Sequence, residues 1–398
     1  TFADGTTNSF TYDANGRLLT TTDEIGVTIS YVYDKDGRLI SFTNGRGYST
    51  TYTYDAVGNM TATTDALDGV TSKTYDANGN LTSETNALGN TTKYTYDKMD
   101  RVKTVTDPLG NVSMVDYDAN GNIVKVTDVR GGVTSYTYDS LDRLTSYTDQ
   151  EGYTFSFAYD ANGNLIKETD GNGNVTGYSY DALNRNVAMT NAEGNVSTTA
   201  YDADGNLTKL VDEEGAQTSY TYDADGKVIK ITDALGNSTT LAYDERERLI
   251  SATDAKGGVT SYTYTDRGEV AAVTDAEGYV TSYTYDENGN CITMTTPDGL
   301  TTFEYDALDR LTKKTTPSGA SQTFTYDAIG QITSVTDANG NTSRYVYDAN
   351  GNLIETIDPL NHSSYFAYDA AGNITKVTLN RIDEQDKVNE QEITLYEY

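Results

Sequence analysis

The chain has 398 residues, 36% of them apolar, a single Cys and a formal net charge of −32. That charge argues against nucleic-acid binding, which needs a basic face, and against adsorption to anionic membranes. One Cys excludes an intramolecular disulfide framework, and no apolar run approaches the roughly 18 residues that a membrane helix needs, so no membrane insertion is expected.

From its first residues the chain repeats itself. Eighteen tyrosines, from Tyr12 to Tyr368, follow one another at steps of 21 residues, except for the step of 20 from Tyr285 to Tyr305. Seventeen of them precede Asp; Tyr264 precedes Thr265. With the tyrosine as position 1, the template reads Y-D-A-x-G-N-L-x-x-x-T-D-A-x-G-N-x-T-x-Y-x, most cleanly from Tyr159 to Ser179. A fixed period overrides the two or three domains that the length alone suggests and favours one elongated or coiled array. The chain opens at template position 11 without a basic-then-apolar leader, so it reads as a fragment, with any export information expected upstream.

Each repeat offers two strands. The first covers positions 7–11, as in Leu18–Thr22 and Val228–Thr232; the second runs from position 17 to the next tyrosine, as in Val133–Tyr138. Both are short, rich in β-branched and aromatic residues, and bounded by Asp, Asn and Gly. No segment of ten residues between Tyr12 and Tyr368 has a helical period. The reading is all-β: tandem hairpins forming one long sheet. Low apolar content argues against a thick core, while 34 tyrosines and many threonines suit a half-buried pleated surface.

The turns carry the most information. Position 5 is Gly except at Asp100, Asp142, Asn184, Glu247 and Asp309, and position 15 is Gly except at Asp68 and Asn361. Asp and Asn best tolerate a left-handed backbone, so both positions are expected to have positive φ. Glu247 is the misfit and predicts a strained or rearranged turn. Val57 and Ile329 at position 4, and Ile25 at position 14, disfavour a type I′ turn and favour a type I turn closed by a left-handed residue in a G1 bulge. All four prolines, Pro108, Pro297, Pro317 and Pro359, stand at position 13, the i+1 corner of such a turn.

An odd period raises a problem of facing. Identical three-residue loops would turn each repeat over relative to the last. One turn must therefore carry an even loop, or each repeat an extra bulge. Apolar residues at positions 7, 8 and 10 suggest moderately apolar character on both faces. About 34 strands at roughly 4.8 Å would make a ribbon on the order of 160 Å wide, which should coil and lay one turn against another.

The Tyr-Asp-Ala-x-Gly-Asn-Leu … Thr-Asp-x-x-Gly-Asn pattern resembles the RHS/YD repeats of bacterial Rhs polymorphic toxins, Tc toxin B and C components, wall-associated proteins and teneurins. The match covers roughly residues 1–378. The resemblance implies hairpins that spiral into a hollow β-shell enclosing a C-terminal toxic domain in the toxin members. On this reading the structural anchors include Tyr54, Tyr96, Tyr138, Tyr159, Tyr180 and Tyr222, with Gly121, Gly163 and Gly205 in the turns. The Tyr-rich closing segment and Asp-Pro-x-Gly cleavage site of the toxin members do not appear; Asp107-Pro-Leu-Gly110 falls on positions 12–15 and reads as a turn. Residues 379–398 break the period with the charged stretch from Arg381 to Lys387 and read as a hairpin or crossover leading to an absent continuation, with a solvated charge run as the alternative.

No catalytic constellation is evident, and no cofactor or metal is expected. His362, the only histidine, reads as a surface turn residue that replaces no template residue of interest, and Cys291 at position 7 reads as strand filler. Asp160-Ala-Asn-Gly-Asn164 resembles the start of a calcium loop, but its Gly is fourth rather than sixth and no Glu recurs to close it. Two function classes follow. One is a non-enzymatic, secreted or cell-surface shell whose partners are a C-terminal toxin or cargo and shell-closing segments. The other is an extracellular adhesion surface that binds carbohydrate on exposed tyrosines.

Overall fold

The computed structural model describes residues 7–382 and 388–395. Residues 383–387 of the charged stretch, and 396–398, lie outside the described residues. The chain forms one antiparallel sheet of 37 strands, β1 (Ser9–Tyr12) to β37 (Val388–Leu395), with no helix among the described residues. Each strand pairs with its neighbours in sequence, and strand-to-strand contacts join only consecutive strands. Most strands have five or six residues. The last pair is longer: β36 (Ile374–Ile382) and β37 form a hairpin whose first strand begins as an ordinary repeat strand.

Both turns of the repeat have one construction. The Asp76 amide donates to the Asn80 carbonyl at 2.9 Å, and the Gly79 amide donates back to the Asp76 carbonyl at 3.1 Å. The second turn repeats this pattern, as at Asp107, Gly110 and Asn111. Positive φ falls at position 5 and position 15 throughout, including all seven non-glycine residues: Asp68, Asp100, Asp142, Asn184, Glu247, Asp309 and Asn361. Of the two alternatives at Glu247, the strained turn holds and the rearranged one does not. Its φ is 66°, its amide donates to the Asp244 carbonyl at 2.9 Å, and its carboxylate lies 3.2 Å from Lys227 Nζ in the previous repeat. The 20-residue repeat is accommodated by a shorter turn: Thr296 pairs directly with Gly299, leaving a loop of Pro297 and Asp298.

A bulge resolves the problem of facing. Between β5 (Ser49–Tyr54) and β6 (Met60–Thr64), Thr53 pairs with Ala62 but Tyr54 pairs with Met60, so Met60 and Ala62 bracket one unpaired residue at position 8. The same shift recurs in the hairpins around the other Tyr-Asp turns. It places positions 1, 7, 10, 18 and 20 on one face and positions 9, 11, 17, 19 and 21 on the other. The faces therefore differ more than the sequence pattern suggests. One carries aromatic contacts, such as Tyr147 stacked on Phe155 at 4.6 Å; the other carries hydroxyl pairs, such as Thr85–Thr91 at 2.8 Å and Thr95–Thr104 at 2.6 Å.

The wall is one layer thick. Among the described residues no hydrophobic side chain is fully buried. The ribbon nevertheless meets itself. The 23–26 turn touches the 265–268 turn, the 107–110 turn touches the 348–351 turn, and the 128–131 turn touches the 369–372 turn. Each of these contacts joins turns 23 strands apart. At roughly 4.8 Å per strand, one circuit measures about 110 Å and spans a space on the order of 35 Å across. The sheet is a spiral whose edges touch through turns and share no strand hydrogen bonds.

Gly163 has φ +92°, and a Cβ built on it would meet nothing within 4 Å. Any cost of substitution is therefore backbone strain. Gly163→Val is expected to lose about 1–2 kcal/mol in denaturant unfolding, while Gly163→Asn is nearly neutral. Equal losses for both would contradict this account.

Candidate functional site: the two edges of the wall

The ribbon has two different edges, one made of Tyr-Asp turns and the other of Thr-Asp turns. In both, the opening aspartate organises the loop. Asp76 Oδ1 accepts the amides of Asn78 and Asn80, each at 2.9 Å, and Oδ2 accepts the Asn80 side-chain amide at 3.1 Å. Asp160 does the same with Asn162 and Asn164, so both its carboxylate oxygens already accept donors from the turn. The Asn80 amides hold Asp76 below the usual carboxylate range, backbone first, and the Arg143 side chain does so for Asp139.

The tyrosine closes a gap left at the Tyr-Asp edge. Between β4 (Leu39–Thr43) and β5 the ladder extends only to Ser41–Thr51, which leaves the Leu39 carbonyl outside it. The Tyr54 hydroxyl donates to that carbonyl at 2.8 Å. The other five anchors repeat the bond: Tyr96 to Leu81, Tyr138 to Ile123, Tyr159 to Leu144, Tyr180 to Leu165 and Tyr222 to Leu207, all at 2.7–2.9 Å. Burial pushes the phenols of Tyr96, Tyr138 and Tyr222 up, which keeps them protonated as donors. Gly121, Gly163 and Gly205 sit in the Tyr-Asp turns with φ of 100°, 92° and 95°. These anchors are spread along the wall, one per repeat, and do not converge on a single site.

A second network was missed by reading positions singly. Where position 5 is Asp or Asn, the previous repeat carries Asn at positions 4 and 6. Asp100 Oδ1 accepts Asn78 and Asn80, Asp142 Oδ1 accepts Asn120 and Asn122, and Asn184 Oδ1 accepts Asn162 and Asn164. Arginine at position 6 couples forward. Arg38 Nε donates to Asp34 at 2.7 Å, Nη1 donates to the Asp55 carbonyl at 3.1 Å, and the guanidinium lies 5.0 Å from the Tyr54 ring centre. Arg101, Arg143 and Arg185 repeat this arrangement. The signal was present as the alternation of Asn-Gly-Asn with Asp-Arg or Asn-Arg between Tyr75 and Tyr180.

The two reactive side chains have structural surroundings. Burial pushes the Cys291 thiol up, and its Sγ contacts the Thr293 carbonyl at 3.2 Å. His362 corrects its sequence reading. It takes the place of the template Asn at position 16, with Nδ1 2.8 Å from Asp358 Oδ2, as Asn111 serves Asp107.

The Teneurin YD-shell family matches residues 42–191. The RHS Repeat family matches residues 12–35 and an overlapping series from 201–237 through 347–381. The crystal structure of TcdB2-TccC3 is similar at 17% identity and a TM-score of 0.76, over 98% of this chain and 28% of that one. TcdB2-TccC3 without its hypervariable C-terminal region matches at 18% identity and a TM-score of 0.76, over 97% and 24%. A Photorhabdus luminescens Tc holotoxin pore matches at 15% identity and a TM-score of 0.57, over 98% and 27%. The chain thus spans about a quarter of the length of these structures, and the likeness is one of fold. No curated protein sequence matches the chain.

Two outcomes test the edge chemistry. Tyr96→Phe removes the donor to the Leu81 carbonyl and is expected to cost about 0.5–1.5 kcal/mol, read by urea unfolding and by faster amide exchange in the flanking strands. The pH dependence should have two limbs. Lowering pH from 7 toward the pI of about 4.1 discharges the acidic chain and should raise the melting temperature. The turn aspartates have folded values below 3.8, so their stabilisation is complete above the unfolded value and is lost as pH falls through the folded one. Melting temperature should therefore drop again below about pH 4. A continued rise toward pH 2 would contradict the role given to the carboxylates.

Proposed function

The chain belongs to the RHS repeat family, and on that premise we propose that it is a non-enzymatic wall segment of a secreted or cell-surface shell that encloses a C-terminal toxin or other polypeptide cargo. One observation carries the reading: a single-layer spiral with no fully buried hydrophobic side chain among its described residues touches itself after 23 strands. A wall without a core beneath it suits enclosure of something else. On this reading residues 1–378 are the repeat wall, and the aperiodic residues 379–398 follow it, with β36 paired onto the repeat strand before it and β37 onto β36. TcdB2-TccC3 supports the reading, because its structures with and without the hypervariable C-terminal region resemble this chain equally, both at a TM-score of 0.76. The likeness therefore does not depend on that region. Among the described residues no helix is long and apolar enough to cross a membrane.

The adhesion reading falls behind because the repeat tyrosines have wall duties. Their hydroxyls serve backbone carbonyls, and several of their rings lie beneath arginines. Small-angle scattering tests enclosure. The chain alone should show depleted internal density, and the chain joined to the polypeptide its gene encodes next should fill that density and protect the added segment from protease. A solid profile, a straight rod, or a fully cleavable added segment would remove encapsulation.

A further inference from the structure

The seam where the ribbon meets itself poses a problem of choice. The repeats are nearly alike, so a seam displaced by one repeat would offer almost the same backbone, and the circuit would be one repeat larger or smaller. Something outside the template must select the register. Seven arginines stand at position 6, within their own edge: Arg17, Arg38, Arg101, Arg143, Arg185, Arg248 and Arg310. Four others stand at the outer corners of turns, Arg246 and Arg267 at position 4 and Arg46 and Arg130 at position 14. All four lie on the seam. The only other basic residue at either corner position after Tyr12 is Lys256, and beyond the seam position 14 turns acidic at Glu151, Glu193, Glu214 and Glu277.

We infer that these four corner arginines set the register of the spiral, by selecting which turns of the late Tyr-Asp edge dock onto the early Thr-Asp edge. Arg46 reaches furthest. Its Nη1 donates to Asp309 Oδ1 at 2.7 Å and to the Asp306 carbonyl at 2.8 Å, and its Nη2 donates to the Tyr305 carbonyl at 3.2 Å. Its Nε lies 3.3 Å from Asp286 Oδ2, and its amide donates to Asn288 Oδ1 at 3.2 Å. Arg267 pairs with Asp23 at 3.0 Å, Arg130 with Asp369 at 3.2 Å and Arg246 with Glu24 at 3.7 Å. A second observation marks the same register. A Cβ on Gly45 would lie 2.5 Å from the Glu287 carbonyl oxygen, so at this point of the seam the two edges approach too closely for any residue but glycine at position 13.

Displaced registers are penalised chiefly at Arg46 and Glu24, since a slip that sets Arg46 against Arg267 leaves Asp23 facing Arg246 and Arg130 facing Asp348. Moving the late edge by one repeat in one direction sets Arg46 against Arg267 in place of Asn288, and exchanges Asp286 for Thr265 and Asp309 for Gly289. It also sets Glu24 against Asp225. Moving it the other way keeps one aspartate, Asp306, but exchanges Asn288 for Leu308 and Asp309 for Gly330. Each slip strips at least one carboxylate from a largely buried guanidinium, whose side chain is only 14% exposed. Arginine suits this work because its planar fork serves carboxylate and carbonyl acceptors at once.

Spin labels across the seam test the inference on the full chain. Leu88 and Ala349 line one cleft from opposite edges, and Cys291 is the only native thiol. In a Cys291→Ala, Leu88→Cys, Ala349→Cys parent, double electron–electron resonance should give one short distance. Replacing all four corner arginines by Gln should give several distances spaced by about 10 Å, the width of two strands, or lose the short one. Replacing Lys35, Lys98, Lys125 and Lys167 by Gln removes the same charge elsewhere and should leave the single distance intact. If the quadruple arginine variant does not fold, Arg46→Gln alone should broaden the distribution, and Arg46→Lys should broaden it less. A single unshifted distance without the arginines, equal broadening in the lysine control, or no short distance in the parent would overturn the proposal. The labels report closure with no cargo present, so this inference and the shell reading can fail separately.

Discussion

The aspartate that opens most turns accepts amides two and four residues on, and so satisfies donors that a loop at the rim of a thin sheet would otherwise leave to water. The wall has little else to hold a hairpin in shape. Its strands have mostly five or six residues, its faces are at best half-covered, and an isolated two-stranded hairpin is marginal in water. Order must come from the loops and be passed along by cross-strand neighbours. The same device makes the chain strongly acidic, since most repeats contribute a turn aspartate to each edge. The net charge of −32 is thus a by-product of how the turns are built, and the self-repulsion it creates must be met wherever the edges approach one another.

The two edges are built alike in their loops and differ in the strands that lead to them. At the Thr-Asp edge the ladder runs up to the loop, as Thr43–Ser49 shows. At the Tyr-Asp edge the bulge at position 8 locally disrupts pairing, and the phenol of position 1 takes up the carbonyl left over from the neighbouring hairpin. This gives the ribbon a polarity. One edge offers corners at position 4 and the other at position 14, so contact between them is head-to-tail. A head-to-tail contact that does not close continues as a helix, which is the geometry of a spiral wall.

Much of this was legible in the residues. Asp and Asn at the exceptions to glycine marked the left-handed positions, and proline at position 13 marked the turn corner. The odd period required either an even loop or a bulge. It did not say which, because the choice lies in hydrogen-bond register and leaves no residue signature at position 8, which is variously Ile40, Thr61, Lys103 or Val124. Faces assigned without the bulge were accordingly blurred. The pairing of Asn-Gly-Asn with Asp-Arg was written in the sequence but becomes visible only when adjacent repeats are compared. The seam was beyond reach, because contacts between residues as far apart in sequence as Arg130 and Asp369, or Arg46 and Asp309, depend on accumulated curvature.

That dependence explains how a few contacts hold the seam. For a flexible chain, bringing such distant residues together carries an entropy that grows with the logarithm of length, at about 0.6 kcal/mol for each doubling. Here the intervening chain is a formed ribbon, and its twist already brings the two edges close to one another. A bulge increases local twist, so a bulge in each repeat bends the ribbon by repeated small steps. Circumference is therefore set approximately by backbone geometry, through the bulge, and then finely by side chains at the seam. The first determinant is spread evenly over the repeats and is insensitive to any single residue. The second is concentrated in a handful of arginines and one glycine, where the repeats stop being alike. A wall made of near-identical units needs both: uniformity gives the curve, and departures from uniformity decide where the curve ends its first circuit.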